Sequence, residues 1–202
     1  MIRGEAVEVM RFDGAAWESE TVAGVLPGAP TTEGGTSGAA STSVEFHFPR
    51  GYGESLAGAW IEWRRRLFQV AGDPQPYLEA NVPGRWTMPV KATARDYREP
   101  LAIKSLGTVQ DEYGRVSAVP SPLWEGRCRE ASAEEAEAWR AGSPASEPRL
   151  TLAAMPHADL LAARPGEAVA EYAGALWDVA SVSRTGGAGS EVAIELAGRR
   201  EP

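Results

Sequence analysis

One stretch occurs twice in this chain, and any fold must accommodate both copies. Gly58 to Val70 reads GAWIEWRRRLFQV, and Gly166 to Val179 reads GEAVAEYAGALWDV. Glu62-Trp63 matches Glu171-Tyr172, and Leu67-Phe68-x-Val70 matches Leu176-Trp177-x-Val179, at one constant spacing. In both copies large residues alternate with small or polar ones on either side of a short centre, Arg64-Arg65-Arg66 or Ala173-Gly174-Ala175. Period-two alternation around a compact break predicts a β-hairpin with a tight three-residue turn. A lone hairpin is marginal in water and must bury a face against more sheet. Each copy is therefore expected at the centre of its own small β-domain.

The flanking sequence supplies matching strands. In the first half these are Ala6–Phe12, a turn at Asp13-Gly14, Trp17–Leu26, Val44–Phe48 and Trp86–Arg95, with loops at 51–54 and 78–85. The second half repeats the order with Ile103–Val109, a turn at 111–114, Leu123–Arg129, Leu150–Met155 and Glu191–Ala197. Asp96 to Pro100 lacks a hydrophobic pattern, which puts the boundary between domains 1–98 and 99–202. The expected fold class is all-β: two tandem small barrels or sandwich-like domains. High counts of Gly (22) and Pro (15) suit many short strands joined by turns.

The two halves differ in one connection. Pro27 to Ser43, PGAPTTEGGTSGAASTS, has no large apolar residue. A segment of that composition gains too little from burial to offset its ordering entropy, so it reads as a loose loop, mobile in isolation. Its counterpart, Ala131 to Ala141, carries a capping box from Ser132 to Glu135 and strong helix formers, predicting a short helix over 133–140.

Little in the chain suggests chemistry. Cys128 is the single cysteine, which rules out an internal disulfide, and with only His47 and His157 no zinc site is expected. His47 alternates with Phe46 and Phe48 and reads as a half-exposed strand residue; His157 reads as a turn residue and Cys128 as a small core residue. No phosphate loop, nucleophile elbow, zinc-protease motif or calcium loop is present. No enzyme, catalytic residue, metal or cofactor is expected. The net charge of −8 disfavours general duplex binding. No signal peptide or membrane span is read, so a soluble protein is expected. Arg64, Arg65 and Arg66 form the one basic cluster, a candidate contact for an acidic partner.

Taken together, the motifs resemble the small head–tail connector proteins of long-tailed bacteriophages, also called head completion, head–tail joining or head-to-tail stopper proteins. In the second half the resemblance runs through the DEYG turn, LWEGRCR, EYAGALWDVASVSRTGG and EVAIELAGR. In the first it rests on WIEWRRRLFQVAGD followed by WTMPVKATAR. Family members are usually one domain near half this length, so the chain resembles a tandem duplication. The resemblance implies a non-enzymatic virion protein, assembled in the host cytoplasm into a ring of six chains in the neck. It would lie between a portal or adaptor above and a tail terminator or tail-tube protein below. Packaged DNA would pass through the channel without sequence-specific contact, and no membrane is involved. It also implies a docking or gating role for the 27–43 connection, with Pro27, Thr31, Gly34, Gly35, Gly38 and Ser43 as candidate residues. Trp139 is the anchor expected on the helix of the second half. A carbohydrate-binding or adhesive pair of β-domains is the alternative, with Trp60, Trp63 or Trp86 stacking on sugar.

Overall fold

In the structure, a computed structural model, the described residues are 3–34, 40–75, 86–132, 136–137, 149–186 and 189–200. The chain divides into two compact units, Met1–Asp96 and Tyr97–Pro202. The division falls two residues before the expected boundary, for a visible reason. The Tyr97 hydroxyl donates to Glu191 Oε1 at 2.8 Å, and the Arg98 carbonyl accepts from Arg127 Nη1 at 2.8 Å. Both residues thus belong to the second unit.

The first unit contains β1 (Glu5–Phe12), β2 (Trp17–Pro27), β3 (Thr31–Gly34), β4 (Ala40–Pro49), β5 (Trp60–Trp63), β6 (Arg66–Val70) and β7 (Trp86–Arg95). They lie in the order β2-β1-β5-β6-β7-β4-β3, all antiparallel, and β2 also pairs with β4 through Leu26↔His47 and Pro27↔Phe46. That last pairing joins the ends of the six-strand run and leaves β3 outside it. Alternation explains which face is inside. On β4, Val44, Phe46 and Phe48 are buried while Glu45 is exposed and His47 half-exposed. They pack with Val7, Val9, Ile61, Phe68 and Val90 in one apolar core.

The second unit contains β8 (Glu99–Gln110), β9 (Val116–Glu130), β10 (Arg149–Ala154), the four-residue helix α1 (Ala158–Leu161), β11 (Ala168–Tyr172), β12 (Ala175–Arg184) and β13 (Val192–Arg200). Its strands close into a barrel in the order β10-β13-β12-β11-β8-β9. Read around the ring, this is the order of the first unit strand for strand, with β8, β9, β10, β11, β12 and β13 in the places of β1, β2, β4, β5, β6 and β7. The repeated hairpin is β5–β6 in one unit and β11–β12 in the other. Closure removes the exposed edges that an open sheet would leave. Val192, Ile194 and Leu196 of β13 face the core beside Leu152, Ile103 and Tyr172.

Three expectations are corrected. The hairpin turns have two residues, not three: Trp63 pairs with Arg66 and Tyr172 with Ala175. Arg64 and Arg65 (φ 51° and 61°) and Ala173 and Gly174 (φ 50° and 72°) are all left-handed. This is the type I′ pattern, whose twist matches that of the flanking strands. Arg66 is therefore the first residue of β6. Secondly, 27–43 is not a structureless loop. Pro27 ends β2, and Thr31–Gly34 pairs residue for residue with Ser43–Ala40. β4 is anchored in the core by Val44–Phe48, so its continuation offers a fixed ladder for the β-branched Thr31 and Thr32. Gly35 and Gly38 lie outside the described residues. Thirdly, the second unit holds the helix α1, unforeseen in the sequence, whose N-terminus is capped by His157 Nδ1 accepting from the Asp159 amide at 3.2 Å. Of the expected 133–140 helix, Ala136 and Glu137 are described and helical, with the Ala136 amide on the Ser132 carbonyl at 2.8 Å. Trp139 lies outside the described residues.

Candidate functional site

Among the described residues, two hairpin tips and two two-stranded extensions stand out. At the β5–β6 tip, the Glu5 carboxylate on β1 accepts from Trp63 Nε1 and from Arg64 Nη2, both at 2.8 Å. These bonds, Trp63 first and Arg64 second, hold Glu5 below the usual carboxylate range. The Arg64 guanidinium also lies 4.5 Å from the centroid of the Trp63 ring, and Arg66 lies 5.8 Å from that of Phe68. Arg65 is exposed at the apex. The basic cluster named from the sequence is thus a solvent-facing tip, braced on one side by Glu5. The equivalent tip of the second unit is uncharged. Beside it, Ala102 pairs with both Glu125 and Glu171, which places the two carboxylates in one row across β9, β8 and β11. Lys104 Nζ bridges to Glu171 Oε2 at 2.6 Å. The row borders a hollow of about 340 Å³ whose lining includes Pro100, Leu101 and Ala173.

The first arm is the β3–β4 extension, where Thr31, Gly34 and Ser43 now stand as strand residues. The Ser43 hydroxyl lies 3.3 Å from that of Thr93 on β7. The second arm was not legible as such. β8 and β9 remain paired from Leu106↔Pro120 out to Gln110↔Val116, beyond the last β8–β11 rung at Ser105↔Ala168. Asp111 closes its tip, accepting from the Tyr113 and Arg115 amides at 2.9 and 2.8 Å. Among the described residues, the exposed large hydrophobics are all on this arm: Val109 (53%), Tyr113 (79%), Val116 (66%) and Val119 (45%). The sequence signal was present in VSAVPSP, but two prolines in seven residues obscured the strand.

Other polar clusters among the described residues hold strands together. Arg11 Nη1 donates to Glu20 Oε1 at 2.8 Å, and Tyr52 hydrogen-bonds both groups. Burial and the Glu20 carboxylate push the Tyr52 phenol up to about 12, while Tyr52 and then Arg11 lower Glu20. In the second unit, Arg129 grips the buried Glu191 through Nε and Nη2 at 2.9 and 2.7 Å. Burial, with Glu99 and Glu130, pushes the Cys128 thiol up to about 12, away from nucleophilic use. His47 Nε2 faces Glu45 Oε1 at 3.2 Å. Among the described residues no group of three or more His, Cys, Asp or Glu could hold a metal ion.

The aromatic residues weighed as sugar platforms are placed differently from one another. Trp60 is fully buried, edge-on to Trp17 at 6.4 Å between centroids. Trp63 is half-buried between Phe46 and Phe68, at 5.7 and 6.1 Å. The side chain of Trp86 lies outside the described residues. Comparison with protein-family models, curated proteins and solved structures yields no match to this chain.

Proposed function

We propose that the protein is a structural component of a long-tailed phage neck, forming a ring between portal or adaptor and tail. The observation that carries this reading is the pair of barrels. One strand order occurs twice, and each barrel sends out a two-stranded arm, a design suited to repeated subunit contacts. The order of motifs through both halves, resembling the head–tail connectors, supplies the identity of the assembly. Heterologous contacts of this kind close into a ring when the rotation permits, and six chains would offer twelve similar barrels. A net charge of −8 suits a wall past which DNA must slide without adhering. Trp60 is sealed in the core and Trp63 is half-buried and tied to Glu5, so neither presents an open face to a sugar; the open aromatic among the described residues is Tyr113, at the tip of the β8–β9 arm.

The test is the mass of the purified protein, alone and mixed with a phage portal, followed by electron microscopy of any assembly. Rings with a central channel are expected. A strict monomer at all concentrations, with and without portal, would remove the basis for the assignment.

A further inference from the structure

The β8–β9 arm is unusual in the way its two edges are treated. The Leu106 amide donates to the Glu167 carbonyl at 2.8 Å, on the β11 side and away from β9. In an antiparallel pair, alternate residues direct their N–H and C=O groups to the same side. Thr108 and Gln110 therefore also present theirs away from β9, past the point where β11 begins. No register shift intervenes between Lys104 and Gln110. On the other strand the outward positions include Pro120 and Pro122, paired with Leu106 and Lys104. Proline has no N–H to offer, and this is how natural sheets blunt an edge. The β9 edge is guarded, whereas the β8 edge carries no proline and no charged residue from Ser105 to Gln110.

A two-stranded ribbon is marginal in water, and this one also exposes Val109, Val116 and Val119. An extended strand laid along Gly107–Gln110 would take up the outward amides and carbonyls of Thr108 and Gln110 and cover part of that apolar surface. The first unit supplies a second edge without proline. β3 pairs with β4 on one side only among the described residues, spans four residues, and carries one charge, Glu33. We infer that the β8 edge of one copy pairs with the β3 edge of a second copy, forming a continuous inter-chain sheet. This rests on the ring reading above: a head-to-tail pairing satisfies both open edges with one contact, while pairing of like arms across a two-fold would leave β3 open.

The experiment mixes full-length chains carrying one new thiol each. Thr108→Cys is combined with Thr31→Cys, Thr32→Cys or Glu33→Cys in turn, under mild oxidation; the native Cys128 is buried and silent. Cα atoms paired across strands lie within disulfide range. A cross-linked dimer is expected in at least one mixture and in none of the variants alone. In parallel, Thr108→Pro, which removes one outward N–H and no β8–β9 rung, should raise the concentration needed for half-assembly tenfold or more. Ala118→Pro, on the guarded edge, should leave it unchanged. Dimer from Thr108→Cys alone would overturn the inference in favour of arm-to-arm pairing. Absence of any cross-link from a wild-type protein that still forms rings would overturn it and leave the ring reading standing. Cross-links from a protein that forms open filaments would keep the pairing and refute the ring. A monomer without cross-links refutes both, and another protein would then be what covers the arm.

Discussion

The Arg129–Glu191 pair should behave as a buried ion pair whose single members cannot be removed cheaply. Glu191 is 2% exposed and its carboxylate accepts hydrogen bonds from Arg129 Nε and Nη2 and from the Tyr97 hydroxyl. Glu191→Ala strands the guanidinium, whose side chain is only 16% exposed, so solvent can compensate only in part. Breaking such a pair costs about 3–5 kcal/mol, and the partial access of Arg129 places this case near the lower end, about 3 kcal/mol. Replacing Tyr97, Arg129 and Glu191 together, as Tyr97→Phe, Arg129→Met and Glu191→Met, removes both charges of the pair and should cost under ~1.5 kcal/mol. Hydrogen exchange on the full chain separates the units. For Glu191→Ala, protection in β10 and β13 should fall about a hundredfold or more, and β1 and β4 should be unaffected. In the triple variant most of that loss should be recovered. A triple variant as unstable as Glu191→Ala would refute the reasoning, because the cost would then lie in shape rather than in stranded charge.

The two hairpin tips should respond oppositely to glycine chemistry. Arg65→Gly relieves a left-handed side chain and should stabilise the first unit by about 0.5–1 kcal/mol, whereas Gly174→Ala should cost the second about 1–2 kcal/mol, both readable by urea unfolding. Glu5, Glu20 and Asp13 titrate below their ordinary values in the folded first unit, the last through the Ala16 and Ala15 amides. Their contribution is therefore fully present above the unfolded glutamate value of 4.5 and is lost as pH falls through the folded values; an acid titration of β4 protection should fall there. At the alkaline end the Tyr52 phenol, raised from 10.0 to about 12, should make stability decline across that window. The Cys128 thiol should react with a disulfide reagent at pH 8 only at the rate of unfolding, and rapid labelling of the native protein would contradict its burial.

Much of this architecture was written in local patterns. The duplicated hairpin was legible because Trp60–Val70 and Ala168–Val179 repeat both their spacing and their alternation, and alternation reports directly which face is buried. The inward set Val44, Phe46 and Phe48 and the half-exposed His47 between them followed from the same period. So did the buried Val192, Ile194 and Leu196. Other features depended on partners distant in sequence. Thr31–Gly34 has no apolar signal of its own and becomes a strand because β4, held by core residues further on, extends a ladder beside it. Val116–Pro122 lies between the expected turn at 111–114 and the expected strand from Leu123, and is a strand because β8 pairs with it along its whole length. Tyr97 and Arg98 looked like linker, yet hydrogen bonds to Glu191 and Arg127 bind them to the second barrel. The two-residue turns at Arg64-Arg65 and Ala173-Gly174 were set by strand register, which composition does not record. Burial periodicity is a property of each strand and survives in sequence. Edge pairing is a property of two strands at once, and only the tertiary structure decided it.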